Sequence, residues 1–96
     1  MLGNPERKER MHPAPLALRQ SVVTFAQAME EKLQENDHKG GWHGCTMQYL
    51  SMRLTQEREE LRKAVERGNP EEVLREAADV ANFCMMIAEN VADRAE

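Results

Sequence analysis

Residues 57–82 read EREELRKAVERGNPEEVLREAADVAN. The break in the middle is the clearest local signal in the chain. Asn69 is placed to cap a helix, and Pro70 suits the first helical position, where its missing N–H is no loss. Glu72 stands where a capping box wants its carboxylate. Gly68 stops the helix on the other side. Two helices joined by so short a Gly68-Asn69 link form an antiparallel hairpin.

The pattern extends outward from that hairpin. Downstream, Val73, Ala77, Val80, Ala81, Cys84, Ile87, Ala88 and Val91 recur with helical period. Upstream, Met47, Leu50, Leu54, Leu61, Ala64 and Val65 do the same, behind a Thr46 whose hydroxyl can cap. A further helix is expected from Leu16, through Val22, Val23, Phe25, Met29 and Leu33, ended by Glu35-Asn36-Asp37 and Gly40-Gly41. Strand-like alternation and internal repeats are absent from the sequence. The expected fold is all-α: a single helical domain over residues 16–96 behind a loose, charged, proline-broken arm over residues 1–15.

The chain has 96 residues, of which 4% are aromatic and seven are Met, so a lone core would be thin. Homo-oligomerisation is therefore expected to complete it, with two hairpins, one per subunit, building a four-helix-bundle core. The formal charge of −4 disfavours a protein that grips nucleic-acid backbone. It does not disfavour a nucleotide, because a divalent cation can bridge acidic side chains to phosphate oxygens. Two cysteines on helix-forming sequence make no disulfide framework. No signal-peptide pattern and no apolar run long enough for a bilayer are visible, so no membrane partner and a cytoplasmic location are expected.

Acidic residues interrupt the apolar stripes. Glu57 lies three residues after Leu54 and seven after Leu50, inside the stripe of its helix, with Glu60 one turn on. Glu76 projects from the inner side of the next helix, and Asp79 borders it. Ionised carboxylates buried together repel one another unless a cation neutralises them, and an all-oxygen donor set suits Mg²⁺ or Mn²⁺. The plainer reading is a solvated acidic face, with Glu57 and Glu60 paired to Arg53 or Lys63.

The order Glu57-x-x-Glu60-Leu61, 15 residues, Glu76-x-x-Asp79-Val80 resembles the MazG-like, all-α NTP pyrophosphohydrolase superfamily. Residues 25–42 (FAQAME, then NDHKGGW) and 76–88 (EAADVANFCMMIA) resemble a short microbial and phage subgroup of it. The resemblance covers about residues 20–93. It implies hydrolysis of a (deoxy)nucleoside triphosphate to the monophosphate and pyrophosphate, magnesium held by Glu57, Glu60, Glu76 and Asp79, and assembly as a dimer or dimer of dimers. The family often carries a Glu immediately before the first ligand. Here that residue is Gln56, an amide that cannot act as a base.

Three further residues are candidates for the substrate. Lys39 can neutralise phosphate and Trp42 can stack on a base, although the same stretch also reads as a helix stop followed by a packing Trp. Asn82 can bond a phosphate, a sugar or a metal-bound water, or serve as a satisfied core amide. His38, His43 and Cys45 share a loop but lack the paired spacing of a zinc site. Met85 and Met86 read as packing. The alternative function is a non-catalytic helical oligomerisation or nucleotide-binding module with a degenerate metal site.

Overall fold

A computed structural model describes residues 16–95, and the arm expected over residues 1–15 lies outside them. The described chain is all-helical. Helix α1 spans Gln20–Glu35, a 3₁₀ turn spans Asp37–Lys39, α2 spans Met47–Arg67 and α3 spans Pro70–Ala95. No strand occurs among the described residues. Among the described residues, no helix is long and apolar enough to cross a membrane.

Local chemistry explains each boundary. Helix α1 starts four residues later than the apolar spacing suggested. Nothing between Leu16 and Arg19 offers a side-chain oxygen to the first N–H groups, and Arg19 stays extended. Its end is closed by Asn36, whose Nδ2 donates to the Lys32 carbonyl at 3.0 Å. Gly40 follows at φ 87°, a conformation that ends the 3₁₀ turn and strains any residue with a Cβ. Thr46 caps α2 as expected, its Oγ1 accepting from the Tyr49 N–H at 3.0 Å. Gly68 ends α2 in the left-handed region at φ 77°, its N–H donating to the Ala64 carbonyl.

Asn69 caps α3 by accepting from the Glu72 N–H at 3.0 Å. The return half of the capping box takes a different form. The Glu72 carboxylate accepts two bonds from Arg67, at 2.9 and 2.8 Å, and so ties α3 to the end of α2.

Helix α3 is the centre of the packing, with α2 and α1 both laid against it. The core is thin. Among the described residues, Leu50, Ala64 and Ala78 are the buried apolar ones, and Leu50 alone is large. The two fully covered alanines, one on each hairpin arm, leave room for close helix approach. Parts of the expected stripes remain outside: Val22, Val65 and Val91 are 45%, 59% and 48% exposed, and Cys84 is exposed rather than inward. The described helices do not cover them. Two asparagines supply polar ties instead: Asn82 Nδ2 donates to the Met29 carbonyl of α1, and Asn90 Nδ2 to the Trp42 carbonyl, both at 3.0 Å.

Candidate metal centre

Glu57, Glu76 and Asp79 converge. One carboxylate oxygen from each lies within 4.8 Å of the others, Glu57 from α2 and the other two from α3. Glu57 owes its position to a line of sevens on α2: it stands midway between Leu50 and Ala64, which are 1% and 0% exposed. The hairpin link then brings α3 alongside. Within α3, Glu76 and Asp79 are one turn apart and share a face.

Glu60, the fourth expected ligand, stands apart. Its side chain is 49% exposed and pairs with Lys63 at 3.7 Å, the solvated arrangement that the sequence also allowed. The same alternative is half realised at Glu57, which accepts from Arg53 at 2.8 Å while remaining in the cluster.

Electrostatics register the crowding. Burial raises the Glu76 carboxyl above its ordinary range, with the charges of Asp79 and Glu57 adding to it. Burial likewise raises Asp79; the ammonium of Lys32 opposes that shift and Glu57 adds to it. Lys32 on α1 reaches Asp79 Oδ2 at 3.6 Å. Both carboxyls therefore sit where a proton, or a cation in its place, is favoured.

A cleft of about 360 Å³ opens beside the acids, within the size range of small-molecule sites. Glu57, Asp79, Lys32 and Arg53 line its acidic end. Leu50, Phe83 and Met86 form an apolar wall, and the 39–42 loop supplies Lys39 and Trp42. Glu76 and Glu60 are outside this lining. Trp42 is anchored at the far end, its Nε1 donating to Glu89 Oε1 at 3.1 Å. Glu89 is ten residues beyond Asp79 on α3, about 15 Å along the axis.

Asn82 is 3% exposed and lines the same cleft. Its Nδ2 serves the Met29 carbonyl, so it acts as a core tie, yet its Oδ1 is buried without a partner. Arg53 stacks over Phe83, 5.1 Å from the ring centroid, and its Nε is likewise buried and unpaired.

Sequence reasoning passed over Lys32 as a site residue and saw Arg53 only as a possible partner for an acid. Arg53 lies three residues after Leu50 and four before Glu57, and that spacing was the available signal for it; Lys32 is brought to the cleft by the docking of α1 on α3. His38, His43 and Cys45 do not converge: the acidic trio is the one cluster of three metal-ligand side chains among the described residues. His43 turns instead toward Asp93 at 3.6 Å and packs on Trp42. Comparison with protein-family models, curated proteins and solved structures gives no match for this chain, so its reading rests on the geometry of the acids and the cleft.

Proposed function

We propose that the chain is a magnesium-dependent nucleoside triphosphate pyrophosphohydrolase of the MazG-like kind, cleaving a (deoxy)nucleoside triphosphate to the monophosphate and pyrophosphate. One observation carries the reading: three carboxylates meet within 4.8 Å, and two of them, Glu57 and Asp79, line a cleft shared with Lys32, Arg53 and Lys39. The donor set fits a hard dication, being all oxygen, half-buried and short of positive charge.

Glu57, Glu76 and Asp79 would hold Mg²⁺, with Mn²⁺ as a substitute, and Glu60 would join by leaving Lys63. Bound there, the ion would supply neutralisation of the polyphosphate and a more acidic water for attack at the α-phosphorus. The protein's own groups do the rest. Lys32, Arg53 and Lys39 offer N–H donors to phosphate oxygens, and Trp42 offers an aromatic face at the end of the cleft remote from the acids. Leu50, Phe83 and Met86 supply the apolar wall along which the rest of the nucleotide would lie. Gln56 is exposed and carries no basic group, so it would not take the proton of the attacking water.

The thin core and the uncovered Val65, Tyr49, Met52 and Val91 support a homodimer, or a dimer of such dimers, in which two hairpins complete a four-helix bundle. Two unpaired thiols suit a reducing compartment such as the cytoplasm. A second reading, a nucleotide-binding module with a degenerate metal site, is favoured by the outward Glu60 and by Gln56.

A panel of NTPs and dNTPs with Mg²⁺, with products identified, separates the two. Pyrophosphate and monophosphate should appear, and Glu57→Gln should abolish both. Absent turnover with intact nucleotide binding would select the second reading, and turnover indifferent to Glu57→Gln would remove the acids from the mechanism.

A further inference from the structure

Lys32 has one neighbour that it can leave at little cost and another that a cation would take from it. On the last turn of α1, its Nζ lies 3.1 Å from Glu35 Oε1 and 3.6 Å from Asp79 Oδ2. The longer contact exceeds ordinary hydrogen-bond length, so charge rather than a directed bond holds it. Glu35 is also gripped by Arg75, at 3.1 and 3.3 Å, and stays neutralised if Lys32 moves. The lysine side chain is 15% exposed and lines the cleft on its acidic side.

Arg53 is differently placed. Its 2.8 Å bond to Glu57 and its stack on Phe83 hold the guanidinium against the wall. Lys39 lines the same cleft from an exposed turn, but no acid of the cluster is paired with it. Among the cleft's cations, Lys32 therefore combines a flexible stem, three donors and a partner within the acidic trio. The buried, unpaired Oδ1 of Asn82, in the same lining, is an independent sign that this part of the cleft is shaped for a ligand.

We propose that Lys32 is a polyphosphate-binding residue held in reserve by Asp79: it neutralises that carboxylate in the free protein and turns to the phosphate chain of a nucleotide when a divalent cation takes the carboxylate. The proposal rests on the metal-binding reading of Glu57, Glu76 and Asp79. A dication bound there repels the ammonium, while a phosphate oxygen offers it a new anionic partner. Metal and polyphosphate binding are thereby coupled through one side chain.

Isothermal titration of the full chain with Mg²⁺ alone, and then with inorganic pyrophosphate at saturating Mg²⁺, tests the coupling without turnover. Lys32→Met keeps the stem and removes the charge. It should leave Mg²⁺ affinity unchanged or tighter and weaken pyrophosphate by roughly tenfold or more, the scale of one charge-assisted hydrogen bond. Lys32→Arg should restore most of the pyrophosphate affinity and serves as the test if the Met variant does not fold. Wild-type protein that binds no Mg²⁺ would overturn the metal centre and this proposal together. Mg²⁺ binding that persists while Lys32→Met leaves pyrophosphate unaffected, or weakens both ligands alike, would overturn the role of Lys32 alone. If only the Arg variant folds, pyrophosphate affinity far below wild type would count against the role.

Discussion

Replacing Asp79 by Asn should stabilise the metal-free protein and abolish its response to magnesium. Asp79 faces Glu57 and Glu76, with ligand oxygens no more than 4.8 Å apart. At an effective dielectric constant of about 20, a like-charge pair at that separation costs about 3.5 kcal/mol. Lys32, at 3.6 Å, returns about 4.6 kcal/mol on the same scale. Two repulsions exceed one attraction by about 2 kcal/mol before screening, and burial of the carboxylate adds to the cost; partial solvent access leaves an excess of about 1 kcal/mol. For a domain of this length that raises the melting temperature by about 4–8 °C. Differential scanning fluorimetry of chelator-treated protein, with and without millimolar Mg²⁺, reads both halves. Wild type should gain stability from Mg²⁺, whereas Asp79→Asn should start higher and gain nothing. A variant that melts lower than wild type without metal and still responds to Mg²⁺ would refute the claim that crowded negative charge defines the site.

Two other outcomes follow from the same electrostatics. Glu76 and Asp79 are raised above ordinary values of 4.5 and 3.8, so the stability they contribute is fully present below those values and is lost as pH rises through the elevated ones. Metal-free protein should thus lose stability from this pair as pH rises past those ordinary values, and the Mg²⁺-induced rise in melting temperature should shrink as pH falls back toward them and protons compete; a Mg²⁺ effect that stays constant down to about pH 4 would contradict this. Glu57→Gln should weaken Mg²⁺ affinity by more than about tenfold and Glu60→Gln by less, because Glu60 joins the ion only by giving up Lys63, measured by calorimetry; an unchanged affinity in Glu60→Gln would remove Glu60 from the ligand set.

The fold was legible wherever its causes are local. Thr46, Gly68, Asn69 and Pro70 act on their own neighbours, and the hairpin follows from a link too short to do anything else. The acids divide for a geometric reason. Leu50, Glu57 and Ala64, at intervals of seven, fall on nearly one line along α2, and Glu57 is drawn inward by burial on both sides. Glu60 lies about 60° round the helix from Glu57, on the side away from Leu54 and Leu61, so the boundary of the stripe passes between the two. Periodicity placed both near the stripe but could not locate that edge. Lys32 became visible as a cleft residue only through α1 docking on α3, a contact between segments remote in sequence. The exposed Cys84, Val65 and Val91 show the opposite limit: an apolar spacing says that a face wants cover, not that its own chain supplies it.

The way Trp42 is fastened has a practical side. It is the chain's single tryptophan, with its indole N–H held by Glu89, its carbonyl held by Asn90 and its ring against His43, at the end of the cleft remote from the acids. Emission from this protein therefore comes from one place, undiluted by other indoles. A molecule settling between the two ends would alter the polarity around that fluorophore, and the chain carries its own optical gauge of occupancy.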